Sequence, residues 1–437
     1  MLQPYRDVLT RPGALAFSGA GVLARLPMSM VGIGIVLMVS TLYDSYGLAG
    51  RVSAVYVVAQ ALCSPQLARL VDRHGQSRIM RPAVAIAAVG LVGLVVAASL
   101  QAHEAWLYLA AVVTGAAIGS FGSLVRARWA RVLGDDSHRM HTAYSLESAL
   151  DELVFIVGPV VATLLATGVA PTAGLIVPLV AMLVGGYWFL SLRHTEPPAA
   201  AAGSPRPRGS VLAKPGMVVL AIVFVAMGSI FGATDVSTVA FADESGSKGT
   251  AGIILAIFAL GSLISGLLYG TRQWKRPLHL RFATGVVALA VGVCFFFLVQ
   301  SLAALAAVMF VAGFAIAPTL INGNGLVQDL VPRERLTEGL TWVGTSLGVG
   351  VSVGSSIAGA QIDAHGSHAG FLVVVVSAGC AVVATLAAFR TLRGDVRDHL
   401  PDSVEAGSPS ATGGAAVAAC EIAESVEPAR SVGTLGP

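Results

Sequence analysis

Apolar residues in this chain do not recur at every third or fourth position with polar residues between them. They run on without interruption, at roughly 14–42, 48–70, 82–101, 105–126, 141–168, 172–192, 216–242, 250–271, 280–300, 302–327, 338–362 and 369–390. A helix rises 1.5 Å per residue, so runs of about 20 residues match a hydrocarbon layer ~30 Å thick. The pattern predicts an all-α membrane protein with 12 transmembrane helices. The longest internal polar break, His194–Lys214, is rich in Pro, Gly, Ala and Ser and reads as a linker. It divides the chain into six-helix halves at 1–193 and 216–393, with the linker at 194–215. Residues 394–437 hold few large apolar residues and are expected to be a disordered tail. The first residues, Met1-Leu-Gln-Pro-Tyr-Arg-Asp, lack the pattern of a cleaved signal, so the first apolar run is read as a retained helix.

Composition agrees with that reading. Only 12% of the 437 residues are charged and mean hydropathy is +0.78, against about 25% charged in soluble domains. With the N-terminus placed in the cytoplasm, 24 of the 27 Lys and Arg residues fall on the cytoplasmic side, tail included. Arg51 and Lys248 fall on the other side, and Arg25 lies inside a helix. The expected location is therefore the inner or plasma membrane, with both termini cytoplasmic. No basic stripe with interleaved aromatics points to nucleic acid. The four cysteines have no metal or disulfide spacing. No Walker loop, HExxH or Ser-His arrangement is present, so no cofactor, metal or catalytic residue is expected and the chain is not read as an enzyme.

The halves echo one another. At an offset of 198, Gly115 matches Gly313, Ile118 matches Ile316, Asp136 answers Glu334 and Tyr144 answers Trp342. A second echo sets Ala49-Gly50 against Ala251-Gly252. Between the second and third runs lies Ala68-Arg-Leu-Val-Asp72-Arg73-His-Gly75-Gln-Ser-Arg78, with a glycine where a tight turn needs positive φ. The segment Gly266-Leu-Leu-Tyr-Gly270-Thr-Arg272 occupies the corresponding place in the second half, without the aspartate.

The stretch 68–78 resembles the Gly-x-x-x-Asp-Arg-x-Gly-x-x-Arg signature of the major facilitator superfamily at Asp72, Arg73, Gly75 and Arg78, and departs from it at Ala68. The resemblance implies two six-helix halves that alternate access to a central site, with helices one and five bordering it. It also implies that Asp72 and Arg73 form a cytoplasmic latch. Gly158-Pro159 in the fifth helix resembles the antiporter motif of drug-exporting facilitators, although Val160, Val161, Ala162 and Thr163 depart from its glycine-rich continuation. Without the resemblance, Gly158-Pro159 still predicts a kink or a tight crossing.

Charged side chains inside a bilayer cost at least ~2.5–3.5 kcal/mol each and call for a reason. Arg25 lies about eleven residues into the first run, near mid-membrane by helical rise. In the fifth run Asp151 and Glu152 reach similar depth, with Glu147 one turn earlier. Arg25 is expected to pair with Glu152 or Asp151, and one carboxylate of the cluster to change protonation during transport. The alternative is a static pair that locks two helices. Glu147 and Asp151 share a face, while Glu152 turns about 100° away. Asp235 is placed near the outer mouth, as a gate or an interfacial cap. Asn322 and Asn324 are candidates for substrate contact or for hydrogen bonds between helices. Gly228 and Gly232, and Gly344, Gly348, Gly350 and Gly354, predict close helix packing. The expected function is proton-coupled efflux of a small amphipathic or hydrophobic compound by a protein most simply monomeric. Its partners are that substrate, protons and the lipid bilayer. The alternatives are uptake of a small anion held by Arg25 and a non-transporting receptor or scaffold.

Overall fold

The computed structural model describes residues 3–199, 210–247 and 250–392. The predicted tail 394–437 and the middle of the predicted linker lie outside the described residues. A short helix, α1 (Gln3–Leu9), precedes the first span. Seven helices make the six amino-terminal spans: α2 (Ala14–Leu42), α3 (Tyr46–His74), α4 (Gln76–Ser99), α5 (Glu104–Ala117), α6 (Phe121–Leu133), α7 (Ser137–Gly168) and α8 (Ala173–Ser191). Seven more make the other six: α9 (Pro215–Glu244), α10 (Ala251–Gly270), α11 (Leu278–Cys294), α12 (Leu302–Gly313), α13 (Ile316–Leu330), α14 (Leu336–His365) and α15 (Ser367–Ala387). A final turn, α16 (Phe389–Leu392), ends the described chain. Twelve segments are long and apolar enough to span a membrane. Large apolar side chains such as Val89, Leu164, Val311 and Val383 stand exposed on the outside, as a lipid-facing surface requires.

Polar caps mark where the spans start. Ser45 Oγ accepts from Leu48 N at the start of α3, and Ser301 Oγ from Ala304 N at the start of α12. Asp136 caps α7 through Arg139 N at 3.0 Å. That backbone bond, with the Arg139 guanidinium, holds its carboxyl below the usual carboxylate range. Between α3 and α4 the chain turns on one residue, Gly75, at φ +93°. No L side chain adopts that conformation readily.

Two spans are broken, which the apolar pattern did not predict. The fourth breaks between α5 and α6, where Gly119 takes φ +65°, and the tenth breaks between α12 and α13. In the 198-residue register the second break comes about one turn of helix earlier than the first. The glycines of that register do the same work. A Cβ on Gly115 would strike the carbonyl of Tyr56 in α3, and one on Gly313 the carbonyl of Phe258 in α10. Tyr56 and Phe258 are related by the 202-residue offset that links Ala49 to Ala251. The two sequence echoes are thus two sides of one repeated helix contact.

Buried apolar side chains form two clusters. One is centred on α2–α8 and takes in Ala317 and Ile321 of α13, and the other is centred on α9–α16, from Val211 to Leu392. Between them, α3 lies against α14 and α7 against α10. Arg333 and Asp135, which are 198 residues apart, form an ion pair across this seam.

Candidate functional site

Arg25 is 1% exposed in the middle of α2, and each of its guanidinium nitrogens has an acceptor. Nε donates to the Gly21 carbonyl at 3.0 Å, one amino group to Asp151 Oδ1 at 2.7 Å and the other to Glu147 Oε2 at 2.6 Å. The sequence reading paired Arg25 with Glu152 or Asp151. The structure shows Asp151 as a partner but not Glu152: the second partner is Glu147, which shares a face of α7 with Asp151 because they are one turn apart. Glu147 is fully buried, and its Oε1 accepts from Ser18 Oγ and Trp129 Nε1, each at 2.7 Å. Trp129 is held edge-on to Phe17, with ring centroids 4.7 Å apart. The second oxygen of Asp151 accepts from Arg126 at 2.7 Å.

Two cations and two carboxylates therefore close a neutral network linking α2, α6 and α7. Arg126, Trp129 and Ser18 were not anticipated. Arg126 was read as the end of the fourth apolar run. The break at Gly119 redirects α6, which carries Arg126 and Trp129 against α7. No pattern in the linear sequence signals that break except a glycine among many. The network has no counterpart in the second half: in the 198-residue register Arg126, Glu147 and Asp151 correspond to Asn324, Thr345 and Val349.

Glu152 stands apart. It leaves α7 on another side, half-buried, and accepts from Ser262 Oγ of α10 at 2.6 Å. This bond crosses from one half to the other. Asp235 is exposed on α9, with nine more residues of helix beyond it. Asn322 is buried and exchanges hydrogen bonds with the Tyr269 hydroxyl of α10, and Asn324 Nδ2 donates to the Leu320 carbonyl. Their observed contacts are within the second half. Gly158 packs tightly on Ser29 of α2, and α7 continues through Pro159 to Gly168. Among the described residues no three His, Cys, Asp or Glu side chains gather as a metal site would require.

At the end of the seam near the Asp72 loop, Asp72 Oδ2 accepts from the backbone N–H of Glu338 at 2.8 Å, in the first turn of α14. A carboxylate there meets unsatisfied N–H groups and the positive end of the helix dipole. Glu338 is itself buried, accepting from Arg335, Ser210 Oγ and Val211 N. Arg73 and Arg78 are exposed. Glu196 plays the neighbouring part for α4, taking the N–H and hydroxyl of Ser77 at 2.8 and 2.6 Å.

The sequence pattern described as Major Facilitator Superfamily matches residues 17–281 and 220–419. The chain belongs to the major facilitator superfamily. It is a membrane transporter and not an enzyme. No curated protein sequence matches it closely enough to count as a relative. Among solved structures, a bacterial homologue of the iron transporter ferroportin in an outward-facing state aligns with TM-score 0.67 at 15% identity, covering 87% of this chain and 98% of that one. The human organic anion transporter MFSD10 (TETRAN) aligns with TM-score 0.61 at 15% identity, covering 87% and 97%. At these identities the similarity is one of fold. The facilitator fold accounts for the twelve spans, the internal repeat and the placing of α3, α7, α10 and α14 along the seam.

Proposed function

We propose that this facilitator exports a small amphipathic or hydrophobic compound in exchange for protons, by alternating access, with Glu152 as the coupling carboxylate. The Glu152–Ser262 hydrogen bond carries the reading. The carboxylates of Glu147 and Asp151 are each matched to an arginine in a closed, neutral network. Glu152 lies next to that network and is hydrogen-bonded by a neutral hydroxyl of the opposite half. Parting of the halves separates it from Ser262 and puts water in place of that hydroxyl, so the surroundings of this carboxyl change with each cycle. Arg25 serves as a brace between α2, α6 and α7. Its donors are already engaged, which argues against holding an anionic substrate. The mainly aliphatic spans suit a hydrophobic cargo. The distribution of Lys and Arg supports a cytoplasmic Asp72 end, so that this structure, joined at that end, corresponds to an outward-facing state.

The test is substrate-dependent proton flux in liposomes, with a pH-sensitive dye trapped inside and a panel of lipophilic cations, neutral drugs and organic acids. Proton movement opposite to a lipophilic compound, abolished in folded Glu152→Gln, is the expected result. Movement in step with an organic acid, or undiminished coupling in Glu152→Gln, overturns the proposal.

A further inference from the structure

The repeat leaves one position unexplained. In the first half, the last turn of α3 supplies Asp72 to the amino end of α14. The matching segment after α10 has no aspartate, yet the seam is joined there too. The last four carbonyls of an α-helix have no partner within it. At the end of α10, side chains of the other half take three of these four. The Tyr5 hydroxyl donates to the Leu267 carbonyl at 2.6 Å, His141 Nε2 to that of Tyr269 at 3.0 Å, and Thr142 Oγ1 to that of Gly270 at 2.9 Å. The remaining carbonyl, Leu268, accepts from Thr271 of its own half, and that of Tyr269 accepts also from Trp274 Nε1 at 3.1 Å.

Tyr5 is 5% exposed and Thr142 1%. Gly270 makes the fit possible, since a Cβ there would strike Ser145 and the Tyr5 hydroxyl. Helix α1, which presents Tyr5, is fastened to its own half by Val8 in the buried cluster and by an Asp7–Arg139 ion pair at 2.8 Å.

We propose that Tyr5, His141 and Thr142 form a second clasp between the halves, built by capping the carboxy end of α10 where the repeat lacks an aspartate, and that this clasp releases each time the Asp72 end opens. Its chemistry is the reverse of the first clasp. At α14 an acceptor of the first half meets helix N–H groups; at α10 donors of the first half meet helix carbonyls. Both suit repeated opening, because exposed helix ends exchange protein partners for water when the halves part. Helix α1 thereby becomes a working part of the gate.

The proposal rests on the alternating-access part of the function above but not on its substrate, direction or coupling ion. Its test therefore needs no substrate. Spin labels at His138→Cys and Gln273→Cys, with Cys63, Cys294, Cys380 and Cys420 replaced by serine, report the width of the seam by pulsed EPR in nanodiscs. A net hydrogen bond of about 0.5–1.5 kcal/mol corresponds to a roughly two- to twelve-fold change in an equilibrium. Tyr5→Phe is expected to raise the open-to-closed ratio by that factor, and Tyr5→Phe with Thr142→Val to raise it further. Gly270→Leu, which wedges the same contact without removing a donor, is expected to shift it the same way. Unchanged distance distributions in folded Tyr5→Phe and Gly270→Leu proteins, even with lowered thermal stability, overturn the clasp and leave these residues as structural packing only.

Discussion

At the scale of single residues, the buried network is a matter of charge balance. Arg25 stands between Glu147 and Asp151, and Arg126 shares Asp151. Removing one member leaves an uncompensated charge in a dry interior, whereas removing a matched pair does not. Arg25→Met is therefore expected to destabilise the protein by about 3–5 kcal/mol. Arg25→Met with Glu147→Gln is expected to recover much of that loss. Ranked thermal unfolding of the three proteins in one detergent checks it, and a double variant no better than the single one contradicts it. Glu152→Gln removes no ion pair and is expected to unfold close to the parent while losing proton coupling. That Arg25 and Asp151 lie level with one another was legible from helical rise, and so was the turn of Glu152 away from its neighbours. Asp151 was expected as a partner of Arg25, but Glu147 was not, because choosing between Glu147 and Glu152 requires the rotation of α7 about its own axis. Packing against α2 and α6 sets that rotation.

At the scale of elements, glycine decides which helices touch backbone to backbone. Helices α9 and α14 interlock through Gly228 and Gly232 on one side and Gly350 and Gly354 on the other. A Cβ on any of the four would run into the facing helix's main chain. Gly344 and Gly348 have open space where their Cβ would be, although they belong to the same sequence pattern. Gly232→Ala is expected to cost about 1–3 kcal/mol by forcing the helices apart. Gly348→Ala is expected to stay within about 0.5 kcal/mol of the parent. Thermal or denaturant unfolding of the two variants side by side tests the contrast, and equal effects would refute the interlock. The spacing of these glycines marks a stripe on a helix, but only a facing helix turns part of a stripe into a contact.

At the scale of the whole molecule, helix-end capping joins the halves near the Asp72 loop, along with the Arg333–Asp135 pair and the Glu152–Ser262 bond. A carboxylate at a helix amino end contributes about 0.3–2 kcal/mol through the dipole. Asp72→Asn keeps the side chain's shape and removes its charge. It is expected to shift the halves towards opening at that end, read by the same spin-label distances, with no change in helix content. An unaltered distribution would mean that the Asp72 contact follows closure without contributing to it.

Membership of this fold was within reach of the sequence because its causes are local or periodic. Apolar runs of spanning length, the asymmetry of basic residues, the glycine at position 75 and the repeated register of Gly115 and Gly313 all survive in the linear order of residues. The network of Arg25, Arg126, Glu147 and Asp151 was decided by tertiary structure, since it depends on a break at Gly119 and on helix rotations that no single helix encodes. The caps on α10 were decided the same way. A carbonyl at a helix end is identical in every sequence, so nothing in the residues of α10 announces that Tyr5, His141 and Thr142 will come from the other half to meet it.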